Sequence, residues 1–217
     1  MTQEAGGVSA KVQRKQPLST ADEKPTTAER IVAAAYRCFD DYGIAKTTME
    51  DVATAAGLSR ASVYKYFGSK DEIVAHITDL EIGKINAEVR RRFVRRATIA
   101  ESLTECLFLV VRAAMRNHCL RMVLQTIDYP SRAADPGSEA HRKQRGWWGT
   151  LLDDALRTGE FARDLSVDDI VSWLTLAEQM LVIKVEAVEI GDDELRRFIR
   201  RMVILPLVQK PRQTSIQ

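Results

Sequence analysis

Arg60, Lys65 and Lys70 fall within the thirteen residues Leu58 to Lys70, which contain no acid, and they are interleaved with Ser59, Ser62, Tyr64 and Tyr66. Cations and hydroxyls at this density suit a polyanion: they can bind phosphates and donate to base edges. The rest of the chain offers no rival chemistry. Its three histidines, His76, His118 and His141, form no HExxH, and neither GxSxG nor a glycine-rich phosphate loop occurs. His118 and Cys119 are adjacent, so on a helix they point about 100° apart and could share a metal only at a helix end. Cys38, Cys106 and Cys119 are odd in number. If the last two share a helix they stand ~20 Å apart, too far to bridge. Free thiols, no catalytic residues, no metal site and no cofactor are expected.

Those cations need a scaffold, and the composition says which kind. The 217 residues are 45% hydrophobic and 6% aromatic, and Val, Ile and Thr never alternate with polar residues over a strand length. The chain is read as all-α, with about nine helices. No apolar run approaches the ~18 residues that span a bilayer, and the N-terminus has no apolar segment of secretory type, so no membrane association and a cytoplasmic location are expected. The formal net charge is +2. From Thr26 to Glu72 six bases face seven acids, so a nucleic-acid footprint would be a stripe rather than a basic domain, and a protein that coats DNA through bulk charge is disfavoured.

Residues 1–25 are polar, carry two prolines and read as a disordered arm. The first helix is expected at Thr27 to Tyr42, with Ile31, Ala35, Phe39 and Tyr42 inward and Gly43 as its stop. Thr48 caps MEDVATAA, which ends at Gly57, and Ser59 caps RASVYKYF. A reciprocal cap between Ser69 and Glu72 opens a long helix to the mid-nineties, with Ile73, Ile77, Leu80 and Ile85 on its inner face. Further helices are expected at about 100–117, 120–127, 139–158, 167–188 and 192–205. Domains are expected at 26–72 for a helix-turn-helix and at 73–210 for a larger helical body.

Ala53, Gly57 and Val63 supply what a helix-turn-helix needs: a small residue at the crossing, a glycine in the turn and a core residue in the second helix. That second helix would enter a major groove with Arg60, Ser62 and Lys65 toward base edges, Ser59 toward phosphate, and Tyr64 and Phe67 mainly in the core. The stretch TTMEDVATAAGLSRASVYKYFGSKDEI resembles the DNA-binding domain of the TetR family of bacterial repressors. Thr48, Ala53, Ala56, Gly57, Ser59, Tyr64, Tyr66, Phe67 and Lys70 match its pattern, and Ala61 departs from it, where glycine is common. The resemblance implies phosphate contacts at Thr48, Tyr66 and Lys70. It also implies a double-stranded DNA operator, a small-molecule effector and a homodimer built from the last two helices. A repressor released by its effector is expected; the alternative is a helical enzyme or metabolite-binding protein whose DNA-binding domain activates.

In the second half Glu178 interrupts the apolar row of Val171, Leu174, Leu181, Val182 and Val185. A carboxylate there needs a partner: Arg112 or Arg116, an arginine across the dimer, or a ligand. A ligand pocket is expected between the helices at 100–117, 139–158 and 167–188, with Met115, Met122, Trp147, Trp148 and Glu178 on its wall. The basic run Arg90 to Arg96 is read as a solvated or ion-paired face. The helix at 167–188 carries apolar residues on more than one side, enough for both a core and a partner, and the helix at 192–206 has Leu195, Phe198, Ile199, Met202 and Val203 inward, opposite Arg196, Arg197, Arg200 and Arg201.

Overall fold

A computed structural model describes residues 25–124 and 134–208. The expected arm at 1–25 lies, except for Pro25, outside the described residues, as does the expected end of the sixth helix. Among the described residues the fold is all-α: α1 (Thr27–Tyr42), α2 (Met49–Ala56), α3 (Arg60–Tyr64), α4 (Lys70–Arg92), α5 (Ile99–Arg116), α6 (His118–Leu124), α7 (Glu139–Arg157), α8 (Val167–Ala187) and α9 (Asp192–Phe198), which continues as a π-helix, Ile199–Ile204. The only β-pairing among them is an isolated bridge between Phe161 and Val208. No described helix is long and apolar enough to cross a membrane.

Side-chain caps set the helix starts. Thr26, Thr48 and Ser166 each accept from the backbone N–H three residues on, and Glu29, Asp51 and Asp169 return the bond, so two of the unpaired amides at each helix start are satisfied. Ser69 accepts from Glu72 N at 3.2 Å, but the reciprocal bond expected from Glu72 goes elsewhere. Its carboxylate accepts from Gly68 N at 2.7 Å, because a residue without a Cβ lets it lie against the turn. Arg30 and Arg37 of α1 each donate to a carbonyl at the end of α2, Ala56 and Ala55, both at 2.8 Å.

The helices enclose two apolar cores. The first is built by α1, α2, Val63 and Phe67, with Ile73, Val74 and Ile77 of α4. The second gathers α5, α7, α8 and α9 around the C-terminal half of α4, with Ile85, Leu107, Trp148, Leu174 and Ile199 in its interior. The division expected at 72/73 therefore falls inside the first core, and α4 serves both bodies. Two inward assignments on α1 and α4 differ from expectation. Tyr42 is exposed, because the last turn of α1 runs out into solvent with Asp40 and Asp41. Leu80 is exposed, and Glu81 occupies the buried row instead. Cys106 and Cys119 sit on different helices, which separate at Asn117.

The α2–α3 turn depends on Gly57, whose φ is +64°. A Cβ there would meet nothing closer than Arg30 Nη2 at 3.8 Å, so the cost of a side chain is that of the left-handed backbone alone. Gly57→Ala is expected to lose about 1–2 kcal/mol, read as a lower urea midpoint at unchanged slope.

Candidate functional site

The outward face of α3 collects most of the expected DNA-contacting residues. Val63 and Phe67 are buried, while Arg60, Ala61, Tyr64, Lys65 and Tyr66 are exposed. Tyr64, expected mainly in the core, points outward because Val63 alone of this short helix reaches the core. The Arg60 guanidinium lies 5.4 Å from the Tyr64 ring centroid and donates to its hydroxyl at 3.3 Å, a stacked platform that restricts the arginine's rotamers. Ser59 Oγ accepts from Ser62 N at 3.1 Å and lies 2.8 Å from Ser62 Oγ. Lys65 and Tyr66 have no ion pair or side-chain hydrogen bond among the described residues and project into solvent. The Thr48 hydroxyl donates to Asp51 at 2.7 Å, so it is both a helix cap and an exposed group at the start of α2.

Lys70 has a different role from the one expected. Its ammonium donates to the carbonyls of Ile44, Ala45 and Thr47 at 2.8, 3.2 and 3.0 Å, which uses all three of its N–H groups. Thr47 is buried and donates to the carbonyls of Cys38 and Gly43. Together they hold the α1–α2 loop and so place Thr48. The internal carbonyls sit within reach of Lys70, and they satisfy it in place of a phosphate.

Behind this face lies a polar junction that the sequence reading missed. Glu81 of α4 is 4% exposed. It accepts from Tyr36 Oη of α1, from Lys84 Nζ at 2.6 Å and from Asn117 Nδ2 at 2.5 Å. Burial pushes its carboxyl up, but the bonds from Lys84, Tyr36 and Asn117 outweigh that and hold it below the usual range. Burial and the Glu81 charge push the Tyr36 phenol far up. Asn117 also accepts from Leu120 N at 2.9 Å, capping α6. The clue in the sequence was the spacing Ile73, Ile77, Glu81, Ile85, Val89: a carboxylate in a strict i, i+4 apolar row.

A cavity of about 50 Å³ lies between α4, α5, α6, α7 and α8, lined among others by Ile82, Ile85, Val110, Leu120 and Glu178. It reaches α4 and α6 as well as the three helices expected. Hollows of about 230 and 380 Å³ extend it outward between α4 and α7, and Asn86 borders all three spaces. Of the residues expected on the wall, Glu178 alone lines the inner cavity. Trp148 is in the core at 1% exposure. Trp147 lines the outer hollow beneath Arg90, whose guanidinium is 5.0 Å from its ring. Met115 packs against the second core, and Met122 packs against the first, on the DNA-binding side. Neither arginine considered for Glu178 within its own chain is available. Arg112 pairs with Asp192 at 2.7 Å and Arg116 with Glu88 at 2.6 Å. Glu178 has no hydrogen-bond or ion-pair partner among the described residues, and burial pushes its carboxyl up to about 8. Two arginines of the basic run are ion-paired, Arg92 with Glu88 and Arg95 with Asp154.

A helix-turn-helix joined through one long helix to a helical body containing a cavity defines a class, the one-component transcriptional regulator. A profile described as "Bacterial regulatory proteins, tetR family" matches residues 31–77. The HTH-type transcriptional repressor KstR2 of Mycobacterium tuberculosis is 27% identical over 142 residues, 64% of this chain and 70% of its own. The HTH-type transcriptional regulator TtgR of Pseudomonas putida is 38% identical over 60 residues, 28% of this chain and 29% of its own. In fold, the fatty acid degradation regulator FadR of Bacillus halodurans superimposes with a TM-score of 0.60 at 16% identity, covering 84% of this chain and 97% of that one. Residues 31–77 thus carry the DNA-binding domain of the TetR family of bacterial transcriptional regulators, and the chain is similar to members of that family. It is a DNA-binding regulator and not an enzyme.

Lys65 and Lys70 separate binding from folding. Lys65→Met is expected to leave the melting temperature unchanged and to weaken binding to the preferred sequence by about 1–3 kcal/mol with little effect on random DNA. Lys70→Met strands three carbonyls and is expected to cost about 1–3 kcal/mol of stability in thermal or urea denaturation.

Proposed function

We propose that the chain is a homodimeric repressor released from a pseudo-palindromic operator when a small molecule enters the cavity beside Glu178. The carrying observation is the shared framework. Leu120 of α6 lines the cavity while Cys119 and Met122 of the same helix pack against the DNA-binding core. On α4, Ile82 and Ile85 face the cavity one to three turns after Ile73 and Ile77 of that core. A molecule that displaces α4 and α6 displaces α3 with them, which is the differential interaction a switch requires.

On DNA, α3 enters the major groove. Arg60, Ser62 and Lys65 contact base edges, and Thr48, Ser59 and Tyr66 contact phosphates. Lys70 contributes by fixing the loop before Thr48. Functional bodies then run from 26 to about 77 and from there to about 208, with α4 common to both.

The dimer reading is supported by the outer side of α8. Trp173, Leu176, Met180 and Ile183 form an exposed row, Ile183 at 57%, and Met202 and Leu205 extend it beyond α9. Two such surfaces give a four-helix interface that sets two α3 helices one DNA turn apart.

Selection of binding sites from random duplexes tests the DNA reading. Arg60→Ala is expected to cost about 1–3 kcal/mol on the selected sequence and little on random DNA; equal losses on both would remove Arg60 from base recognition. The double variant Leu176→Lys, Ile183→Lys is expected to sediment as a monomer with unchanged helicity and to lose operator binding. A wild-type monomer at micromolar concentration would refute the dimer.

A further inference from the structure

Among the described residues the inner cavity presents one ionisable side chain and no cation. From α4 it receives Ile82, Ile85 and Asn86, from α6 Leu120 and from α7 Gln144, none of them charged. The titratable group nearest Glu178 on α5 is Cys106, whose thiol is pushed up to about 12, first by burial and then by Glu178 and Glu105. It therefore stays neutral wherever Glu178 titrates. Burial is the only influence resolved on Glu178 itself among the described residues.

This environment sorts ligands by charge. An anion would enter beside a carboxyl with no basic residue to receive it. A cation would require Glu178 to ionise against its burial and would itself be desolvated among Ile82, Ile85, Val110 and Leu120, so both partners would carry a penalty. An uncharged acceptor imposes neither cost. It also relieves the carboxyl O–H, which is costly to leave unpaired in a cavity whose other lining residues are uncharged. We propose that the cavity recognises an uncharged, largely apolar molecule through a single oxygen acceptor, to which the protonated Glu178 carboxyl donates a hydrogen bond. The outer hollows, bordered by Gly83, Asn86 and Trp147 and flanked by Asp79, Lys143 and Arg90, lead from the cavity to the surface. The proposal rests on the reading of this chain as an effector-responsive regulator and specifies the effector's chemistry.

Three probes of equal length separate the cases: 2-octanone, octylammonium and octanoate, titrated calorimetrically into the full chain. Only 2-octanone is expected to bind, with an association constant that falls about tenfold per pH unit above roughly pH 8, because the ionised carboxylate has no hydrogen to donate. Glu178→Gln keeps an N–H donor and is expected to bind 2-octanone within about threefold of wild type with no pH dependence. Glu178→Leu is expected to lose at least about tenfold at pH 7 with helicity retained, the size of one lost hydrogen bond. Octylammonium binding that strengthens with pH would overturn the proposal and make Glu178 a counter-ion. Binding of 2-octanone that ignores Glu178→Leu, or no binding of any probe, would also overturn it. Operator binding and sedimentation on the same preparations report separately on the regulator itself.

Discussion

The buried carboxylate of Glu81 is the interaction on which the rest of the structure turns. Its two oxygens are engaged by Tyr36 of the first core, Lys84 of its own helix and Asn117 at the α5–α6 joint. A buried charge is stable only while its partners surround it. The geometry of α1, α4 and α6 is therefore coupled through one group, and none of the three can shift far without exposing or stranding it. Because its folded-state pKa lies below the unfolded value, the stabilisation it gives is present above the unfolded pKa and is lost as pH falls through the folded one. The pairing of the DNA-binding body with the larger helical body is thus weakest in acid.

The role of α4 is a consequence of this coupling. Its first turns complete the core behind α3, its middle carries Glu81, and its later residues wall the cavity. A helix packed on both sides moves as a rigid piece, so a small displacement at Ile82 is delivered at Ile73 rather than absorbed between them. Leu120, capped by Asn117, gives α6 the same property over a shorter span. Under the proposed switch, operator release requires a ligand whose affinity differs between two arrangements of these helices; tight binding alone would change nothing.

Much of this was legible in the sequence because helix starts are chemical events. Thr48, Ser59 and Ser69 declare themselves by their hydroxyls and by the helix-forming residues after them, and they cap α2, α3 and α4 as read. Glu178 was legible for the same kind of reason, as a charge inside an apolar row. What was not legible is which neighbour a side chain meets. Met122 and Trp147 are apolar residues on inward faces, but the sequence does not say that one inward face belongs to the DNA-binding core and the other to an open groove. Lys70 looked like a phosphate ligand because its acceptors, the carbonyls of Ile44, Ala45 and Thr47, are more than twenty residues away and exist only once the loop has folded. Glu81 was hidden in plain periodicity beside Leu80, one residue from the position expected to be buried.

The π-helical segment Ile199–Ile204 gives chain length a meaning that residue type does not have. Its hydrogen bonds run i→i+5, so the turn holds one residue more than an α-turn, and Val203 O accepts from Trp173 Nε1 of α8 at 3.0 Å. Everything after it is rotated by about 100° from where an unbroken α-helix would put it. The outward placement of Met202 and Leu205 is therefore a matter of counting. A single-residue deletion anywhere in the segment would rewind it as α-helix and turn those residues away from the row on α8, although every remaining side chain would be unchanged. Insertions and deletions, rather than substitutions, are the changes to which this end of the molecule is most sensitive.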